Sequence, residues 1–421
     1  MHGLKSIVRA LVPSGLLALY HFSLAYIAAA VYRHPSRDIT VIGITGTDGK
    51  SSTVEFLNAI LESAGRNTAL SSSIRVKVGA HSSPSAGRSM PGRLFIQNFL
   101  RRACAADCSI AIVEMTSEGA RQYRHRFLEL DALLFLNLSP EHVESHGSYQ
   151  AYADAKFQLG KQLVRSRKRP RIIVSNAEDK EGLRYLSLPV EKKVPFSLKE
   201  NAPYHADEKR GYFTFRGHRM TTALPGTFTL QNALAAACAA NALGIPTEDI
   251  ERGVASVSRI PGRTDSVDAG QSFLVIVDYA LTPDALEKLY KTYGDRPKIC
   301  VFGAAGNRDK WKRPVLGEIA ERYCEQVILT NDVAYDENPR EIADDIARGM
   351  TSAPEISLDR RAAIRHALNL AQAHPERSRV AVLITGMGVD TEITAGDGST
   401  VPWNDIEVAR EELKALLQSK L

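Results

Sequence analysis

At 421 residues the chain has room for roughly two or three domains, each able to bury a core without a disulfide or metal staple. Its 53 Lys and Arg against 48 Asp and Glu leave a net charge of +5, with 24% charged and 44% hydrophobic residues. That balance excludes a disordered, collagen-like or polytopic membrane chain and offers no ground for nucleic-acid binding. The five cysteines, Cys104, Cys108, Cys238, Cys300 and Cys324, are odd in number and contain no Cys-x-x-Cys pair. They predict a reducing, cytoplasmic setting, with Cys104 and Cys108 as helical neighbours rather than metal ligands.

The N-terminus is the compositional anomaly. No Asp, Glu, Lys or Arg occurs between Arg9 and Arg33, so residues 10–32 form an uncharged run long enough to cross a bilayer, which takes about 20 residues. Pro13, Ser14, Gly15, His21 and Ser23 interrupt it, and basic residues flank both ends, which argues against a span of defined orientation. Three expectations stay open: a helix packed on the protein, one lying at the inner face of a membrane and, less favoured, a true span.

From Asp38 onward, short β-branched runs alternate with longer amphipathic stretches, the pattern of an α/β chain with parallel strands. Strands are predicted over 39–45, 109–113, 132–137 and 171–175, and in a second series over 273–277, 298–302, 326–330 and 380–385. An Ala-rich helix over 231–243 and a hinge at Ile260-Pro261-Gly262-Arg263 separate the two series. The Ser-, Pro- and Gly-rich residues 80–93 read as a mobile loop and candidate lid. The predicted organisation is an apolar helical segment at 1–37 followed by two α/β domains, at 38–262 and 263–421.

The sharpest local signal is Gly46-Thr47-Asp48-Gly49-Lys50-Ser51-Ser52, a Gly-rich turn between a β-rich run and a helical stretch. Gly46 and Gly49 let backbone N–H groups close around phosphate oxygens at the positive end of a helix. Lys50 supplies a point charge and Ser51 a hydroxyl for magnesium. The spacing departs from Gly-x-x-x-x-Gly-Lys-Ser/Thr, because Ile44 stands five residues before Gly49. Glu114 ends a second predicted strand, where a magnesium ligand is expected beside such a loop. His142 and His146 follow the third strand, and Lys156 sits in the helical stretch after them.

Together these segments resemble the Mur ligase family, the ATP-dependent amide ligases that build the peptidoglycan stem peptide, and within it the MurE branch that adds the third residue. The resemblance runs from about residue 38 to about 415 and implies a central P-loop ATP-binding domain at 38–262 and a C-terminal Rossmann-like domain at 263–421. It is carried by the Gly-rich loop, Val113-Glu114-Met115-Thr116-Ser117, Asn137-Leu138-Ser139-Pro140-Glu141-His142, Asn176-Ala177-Glu178-Asp179, Asp278-Tyr279-Ala280, Thr282-Pro283-Asp284 and Lys312-Arg313-Pro314. It implies that Gly46 to Ser52, with Asn232, Arg263 and Asp278, bind ATP, Asn232 on the adenine side and Arg263 near the γ-phosphate. It also implies two magnesium ions, the first on Ser51 and Glu114 and the second served by His142 and by Lys156 carrying a carbamate. Thr116, Ser117, Asp332, Tyr335, Gly386 and Asp390 fall at positions implied to bind the muramoyl-peptide acceptor and the incoming amino acid.

The sequence also departs from the family pattern. Only about 37 apolar residues precede the first strand, where typical members carry a domain that grips uridine diphosphate. A lipid-linked or other non-UDP acceptor is therefore an alternative, as is a nucleotide-binding membrane scaffold without ligase activity. Asp332-Val333-Ala334-Tyr335 replaces the Asp-Asn-Pro-Arg that reads diaminopimelate, and Gly386-Met387-Gly388-Val389-Asp390 replaces Gly-Lys-Gly-His-Glu. These changes speak against diaminopimelate and leave lysine or another amino acid open. Leu281 and Asn307 are further changes, and neither removes an expected metal ligand.

Overall fold

The computed structural model describes residues 14–85, 89–394 and 399–418. Two compact units divide the chain and interleave in sequence. The first holds Met1–Leu138, Gln150–Glu200 and Asn232–Val254, and the second holds Ser139–Tyr149, Asn201–Gln231 and Ala255–Leu421.

The first unit is built on eight strands: β1 (Thr40–Thr45), β2 (Thr68–Ser71), β3 (Arg75–Val78), β4 (His81–Pro84), β5 (Ile110–Glu114), β6 (Ala132–Phe135), β7 (Ile172–Asn176) and β8 (Lys192–Phe196). Their order is β4-β3-β2-β5-β1-β6-β7-β8, parallel from β2 to β8, with β3 and β4 added antiparallel at one edge. Strands β1, β5 and β6 are almost wholly buried, which is why they read as unbroken β-branched and apolar runs rather than as an alternation. The chain leaves β1 toward β2 on one side and later enters β6 on the other. Winding therefore reverses at β1, the point where open α/β sheets bind ligands beyond their carboxyl ends. Two elements depart from the expectation for this half. Residues 81–84 of the predicted lid form the exposed edge strand β4, and residues 86–88 lie outside the described ones. Cys108 lies past the end of the helix Arg93–Ala105 that holds Cys104, because positive φ at Asp107 turns the chain back toward β5.

The expected N-terminal helix runs over Ser14–Val31, and residues 1–13 lie outside the described ones. Ala25, Ala28 and Ala29 are buried against the first unit, side by side with the helix Arg93–Ala105. Among the described residues no helix is long and apolar enough to cross a membrane.

The second unit carries a small antiparallel sheet of β9 (His205–Ala206), β10 (Gly211–Phe215) and β11 (His218–Thr222). Its main sheet has the order β12-β13-β17-β14-β15-β16, from β12 (Asp265–Ser266), β13 (Leu274–Asp278), β14 (Lys298–Phe302), β15 (Gln326–Leu329), β16 (Glu355–Ile356) and β17 (Ala381–Thr385). All pairs are parallel except β12 with β13. Side chains alternate between two apolar layers, as the strand period of two requires. Ile276, Cys300 and Phe302 face helices Pro283–Thr292, Lys312–Tyr323 and Pro339–Ala347. Val275, Val277, Ile299 and Val301 face Arg360–Ala373 and Asp405–Gln418. This is the doubly covered parallel sheet that the second series of β-branched runs predicts.

Candidate functional site

In the first unit, β1 delivers the chain into the turn 46–49, and the helix Lys50–Ser63 starts at once. Gly49 stands at φ 81°, and a Cβ there would lie 2.2 Å from Asn232 Oδ1, so the turn admits no side chain at that position. The loop after β6 holds the turn from the side. Asn137 Oδ1 accepts from the Thr47 and Asp48 amides at 3.1 and 2.9 Å, and its Nδ2 donates to the Asp48 carbonyl at 3.1 Å. Lys50 Nζ donates to the Thr47 carbonyl at 2.7 Å, which folds the lysine back over the loop it follows.

Pairing of Ile44 with Glu114 in the β1–β5 register sets the carboxylate beside this turn. Glu114 is buried and accepts on Oε2 from Ser51 Oγ at 2.9 Å and from the Ser73 amide at 3.0 Å. The Ser51 and Ser73 hydroxyls lie 2.8 Å apart. Ser73 belongs to this cluster although no motif announced it, since it comes from the turn between β2 and β3 and meets Glu114 only through the sheet. Lys156 is fully buried on the helix Tyr149–Arg165, and its Nζ donates to the Gly46 carbonyl at 2.7 Å. One turn earlier, Tyr152 places its hydroxyl 3.0 Å from Thr47 Oγ1 and its ring 5.0 Å from the Lys156 ammonium. Burial first, and the charge of Lys50 second, push the Lys156 ammonium well below the usual lysine range, against Asp48 and Glu114.

Thr116 and Ser117 follow Glu114 directly. Thr116 Oγ1 caps the helix Ser117–Arg121 by accepting from the Gly119 amide at 3.0 Å, and Ser117 is buried. Asp179 joins two loops of the same edge: Oδ1 caps Lys180–Leu186 while Oδ2 accepts from the Leu138 amide at 2.8 Å.

His142 belongs to the second unit, within Ser139–Tyr149. It stands at φ 57° at the start of the short helix Val143–His146, and a reciprocal clasp fixes the loop around it. Asp309 accepts from the Val143 and Glu144 amides at 3.0 and 2.9 Å, Glu144 accepts from the Lys310 amide at 2.6 Å, and Glu141 pairs with the buried Lys312 at 2.8 Å. Lys50, Ser51, Glu114, Asn232 and Lys156 thus share the first unit, whereas His142, Arg263 and Asp278 lie in the second.

A second polar group gathers at the carboxyl ends of β13, β15 and β17. Asp278 Oδ2 accepts from the Thr264 amide at 2.6 Å, and the Arg263 guanidinium lies 4.5 Å over the Tyr279 ring. Asp332 is buried. Its Oδ1 accepts from the Val333 amide at 2.6 Å, while its Oδ2 has no hydrogen-bond partner among the described residues and sits 2.7 Å from where a Cβ on Gly386 would stand. Burial raises the Asp332 carboxyl. Burial first, and the Asp332 charge second, push Asp390 up to about 7 against Arg263 and the Tyr279 hydroxyl. Beneath them, Arg360 is locked bidentately to Asp405 at 2.8 and 2.7 Å and donates to the Asn331 and Thr385 carbonyls. Asp332 and Asp390 are thus two desolvated carboxyls that raise each other's charge cost, with the Arg360 and Arg263 guanidiniums acting on them in the opposite sense. Tyr335, expected beside them, is half exposed farther along the loop.

Among the described residues no group of three or more His, Cys, Asp or Glu side chains could hold a metal by itself. The donor chemistry around Ser51 and Glu114 still fits magnesium, a hard cation that keeps waters and takes one or two protein oxygens together with substrate phosphates.

Comparison with known proteins gives the family. The family model for the Mur ligase middle domain matches residues 44–240, and the model for the Mur ligase, glutamate ligase domain matches residues 262–388. The UDP-N-acetylmuramoyl-L-alanyl-D-glutamate–2,6-diaminopimelate ligase of Geobacillus kaustophilus is 32% identical over 420 residues, covering 96% of this chain and 84% of its own. The UDP-N-acetylmuramyl-tripeptide synthetase of Roseiflexus sp. is 35% identical over 427 residues, covering 94% and 82%. Folylpolyglutamate synthase of Mycobacterium tuberculosis, solved with ADP and AMPPCP, superposes with a TM-score of 0.71 at 17% identity over 88% of this chain and 93% of its own. That likeness shows the shared fold alone. The chain belongs to the Mur ligase family, the ATP-dependent ligases of peptidoglycan-precursor synthesis.

Proposed function

We propose that this ligase phosphorylates the terminal carboxylate of a muramoyl peptide with ATP and then joins the activated acyl group to an amino acid, releasing ADP and phosphate. The observation that carries the reading is the convergence of Ser51, Ser73 and Lys50 around Glu114 and the Gly46–Gly49 turn. Amides of that turn would take the phosphate oxygens, with Lys50 as the point charge, Asn232 on the adenine side, and Arg263 and Asp278 as further nucleotide-binding residues. Ser51 and Glu114 would hold one magnesium, and His142 and Lys156 would serve another. Magnesium, when bound, screens the repulsion between the acceptor carboxylate and the triphosphate.

Lys156 is suited to carry a carbamate. A buried amine of lowered pKa is largely neutral, and the neutral amine adds carbon dioxide and loses one proton, leaving an anionic carbamate able to face a metal. Thr116 and Ser117, next to Glu114, are proposed to meet the acceptor. For the amino acid, Asp332 and Asp390 at the Gly386 edge favour a side chain that ends in an amine, and no arginine stands at the motif position that would read a distal carboxylate. Tyr335 would border that site. The uncharged helix Ser14–Val31 supports placing the ligase at a membrane surface.

Phosphate release and product mass would be followed with UDP-N-acetylmuramoyl-L-Ala-D-Glu and with a lipid-linked muramoyl peptide, each against lysine, ornithine, diaminopimelate and neutral amino acids. One amino acid should drive both release and a new amide. ATP turnover indifferent to every acceptor and amino acid, with no amide formed, would overturn the reading.

A further inference from the structure

The helix Ser14–Val31 has two apolar faces, and only one is used. Ala25, Ala28 and Ala29 are buried, with Phe22 edge-on to Tyr123 and Phe127. On the other side Leu16, Leu19, Tyr20, Ile27 and Val31 recur at helical spacing, from 51% to 63% exposed. With Tyr26 they supply six of the fourteen large apolar side chains that stand exposed among the described residues. Isolated exposed apolar residues need no explanation, but a continuous stripe does.

The charge around the stripe is mainly positive, with the exposed Asp38 as an acid at its carboxyl end. The helix itself carries no charged residue. At its carboxyl end stand the exposed Arg33 and Arg37. The neighbouring helix Arg93–Ala105 runs alongside in the same direction, since Arg93 meets His21 at one end and Arg101 lies 3.8 Å from Asp38 at the other. It adds the exposed Arg101 and Arg102. Upstream in sequence, residues 1–13 contain Lys5 and Arg9 and no acid.

We propose that this face docks on an anionic lipid surface, with the helix lying in the interfacial layer rather than crossing it. The inference rests on the membrane placement given above and names the face and the lipid class. Leu16, Leu19, Ile27 and Val31 enter the acyl boundary. Tyr20 and Tyr26 sit at headgroup depth, as amphipathic rings do. The arginines meet the phosphates, each adding attraction that salt screens. The stripe itself carries no acid, and Arg33, Arg37, Arg101 and Arg102 outweigh Asp38 around it, which suits anionic headgroups better than a neutral surface or a basic protein partner.

The test is co-flotation of the full chain with vesicles of phosphatidylcholine alone and with vesicles that are about one-third phosphatidylglycerol. Binding should be at least tenfold stronger to the anionic vesicles and should weaken in about 0.5 M salt. Leu19→Asp and Ile27→Asp should each lower it at least tenfold, and Arg33→Glu with Arg37→Glu should remove the preference for anionic lipid. Absence of binding to either vesicle would overturn the proposal, as would binding that the Asp variants leave unchanged. Self-association in sedimentation velocity that Leu19→Asp abolishes would overturn it in favour of a second copy of the chain. Amide formation with a soluble acceptor is measured on the same variants. It should persist, and its absence in the unsubstituted protein would strike the ligase reading instead.

Discussion

The Lys156 amine and the Gly46 carbonyl meet at 2.7 Å inside the first unit, so a lysine on one helix is tied to the backbone of the phosphate turn. A single hydrogen bond to a carbonyl is poor compensation for a buried ammonium, and burial accordingly drives its pKa well down. A lysine kept for structure alone would be replaceable by an apolar side chain of similar length.

Lys156→Met therefore separates the readings. If the amine carries a carbamate, the variant should lose at least about a hundredfold in amide formation, and excess bicarbonate should not restore it. A carbamate carbon signal seen in the unsubstituted protein with labelled bicarbonate should disappear. Unchanged turnover would remove Lys156 from the site.

Much of this site is legible in the amino-acid sequence. Lys50, Ser51 and Glu114 are found because strand ends and Gly-rich turns leave local patterns. Ser73 and Tyr152 are not, because each reaches the turn through tertiary packing. The parallel strands are legible as unbroken apolar runs, whereas β3 and β4 are not. Arg75-Val76-Lys77-Val78 alternates as a strand does but is only four residues long, and His81-Ser82-Ser83-Pro84 is polar and exposed, so their pairing at the sheet edge makes them strands. The Asp309 clasp is invisible for another reason: its partners stand 165 and 166 residues away.

Gly49 and Gly244 form a matched pair for testing the phosphate turn. Both have positive φ, at 81° and 84°, but a Cβ at Gly49 strikes Asn232, whereas one at Gly244 meets nothing within 4 Å. Gly244→Ala should cost about 1–2 kcal/mol of stability, the left-handed penalty alone, and leave nucleotide binding intact. Gly49→Ala should in addition weaken ATP binding at least tenfold in a direct titration. Equal affinities in the two variants would show that the turn does not touch nucleotide.

The clasp around His142 predicts energetic coupling. Asp309 accepts two successive amides of the loop and Glu144 returns a bond to Lys310. Asp309→Ala should cost about 1–2 kcal/mol, as loss of a helix cap does. Glu144→Ala should cost a similar amount. The double variant should cost less than the sum, by about 0.5 kcal/mol or more. Strict additivity in urea unfolding would mean that the two bonds do not act as a unit.

Asp390 gives the protein a pH dependence of defined sign. Its carboxyl is held up to about 7 in the fold, whereas an unfolded aspartate titrates near about 4. Between those values the folded protein keeps a proton that the unfolded chain has released. This residue's contribution to stability is therefore complete below about pH 4, declines as pH rises to about 7, and is flat above that. Asp390→Asn should remove the decline, so the variant gains on the unsubstituted protein by up to a few kcal/mol between pH 4 and pH 8 in urea unfolding. The same proton gates the proposed amine site, because an incoming ammonium needs the ionised carboxylate beside Asp332. KM for an amine-ended amino acid should therefore fall as pH rises through about 7, should not fall for a neutral one, and should lose its pH dependence in Asp390→Asn. A KM unchanged by pH in the unsubstituted protein would place the amino acid elsewhere than between Asp332 and Asp390.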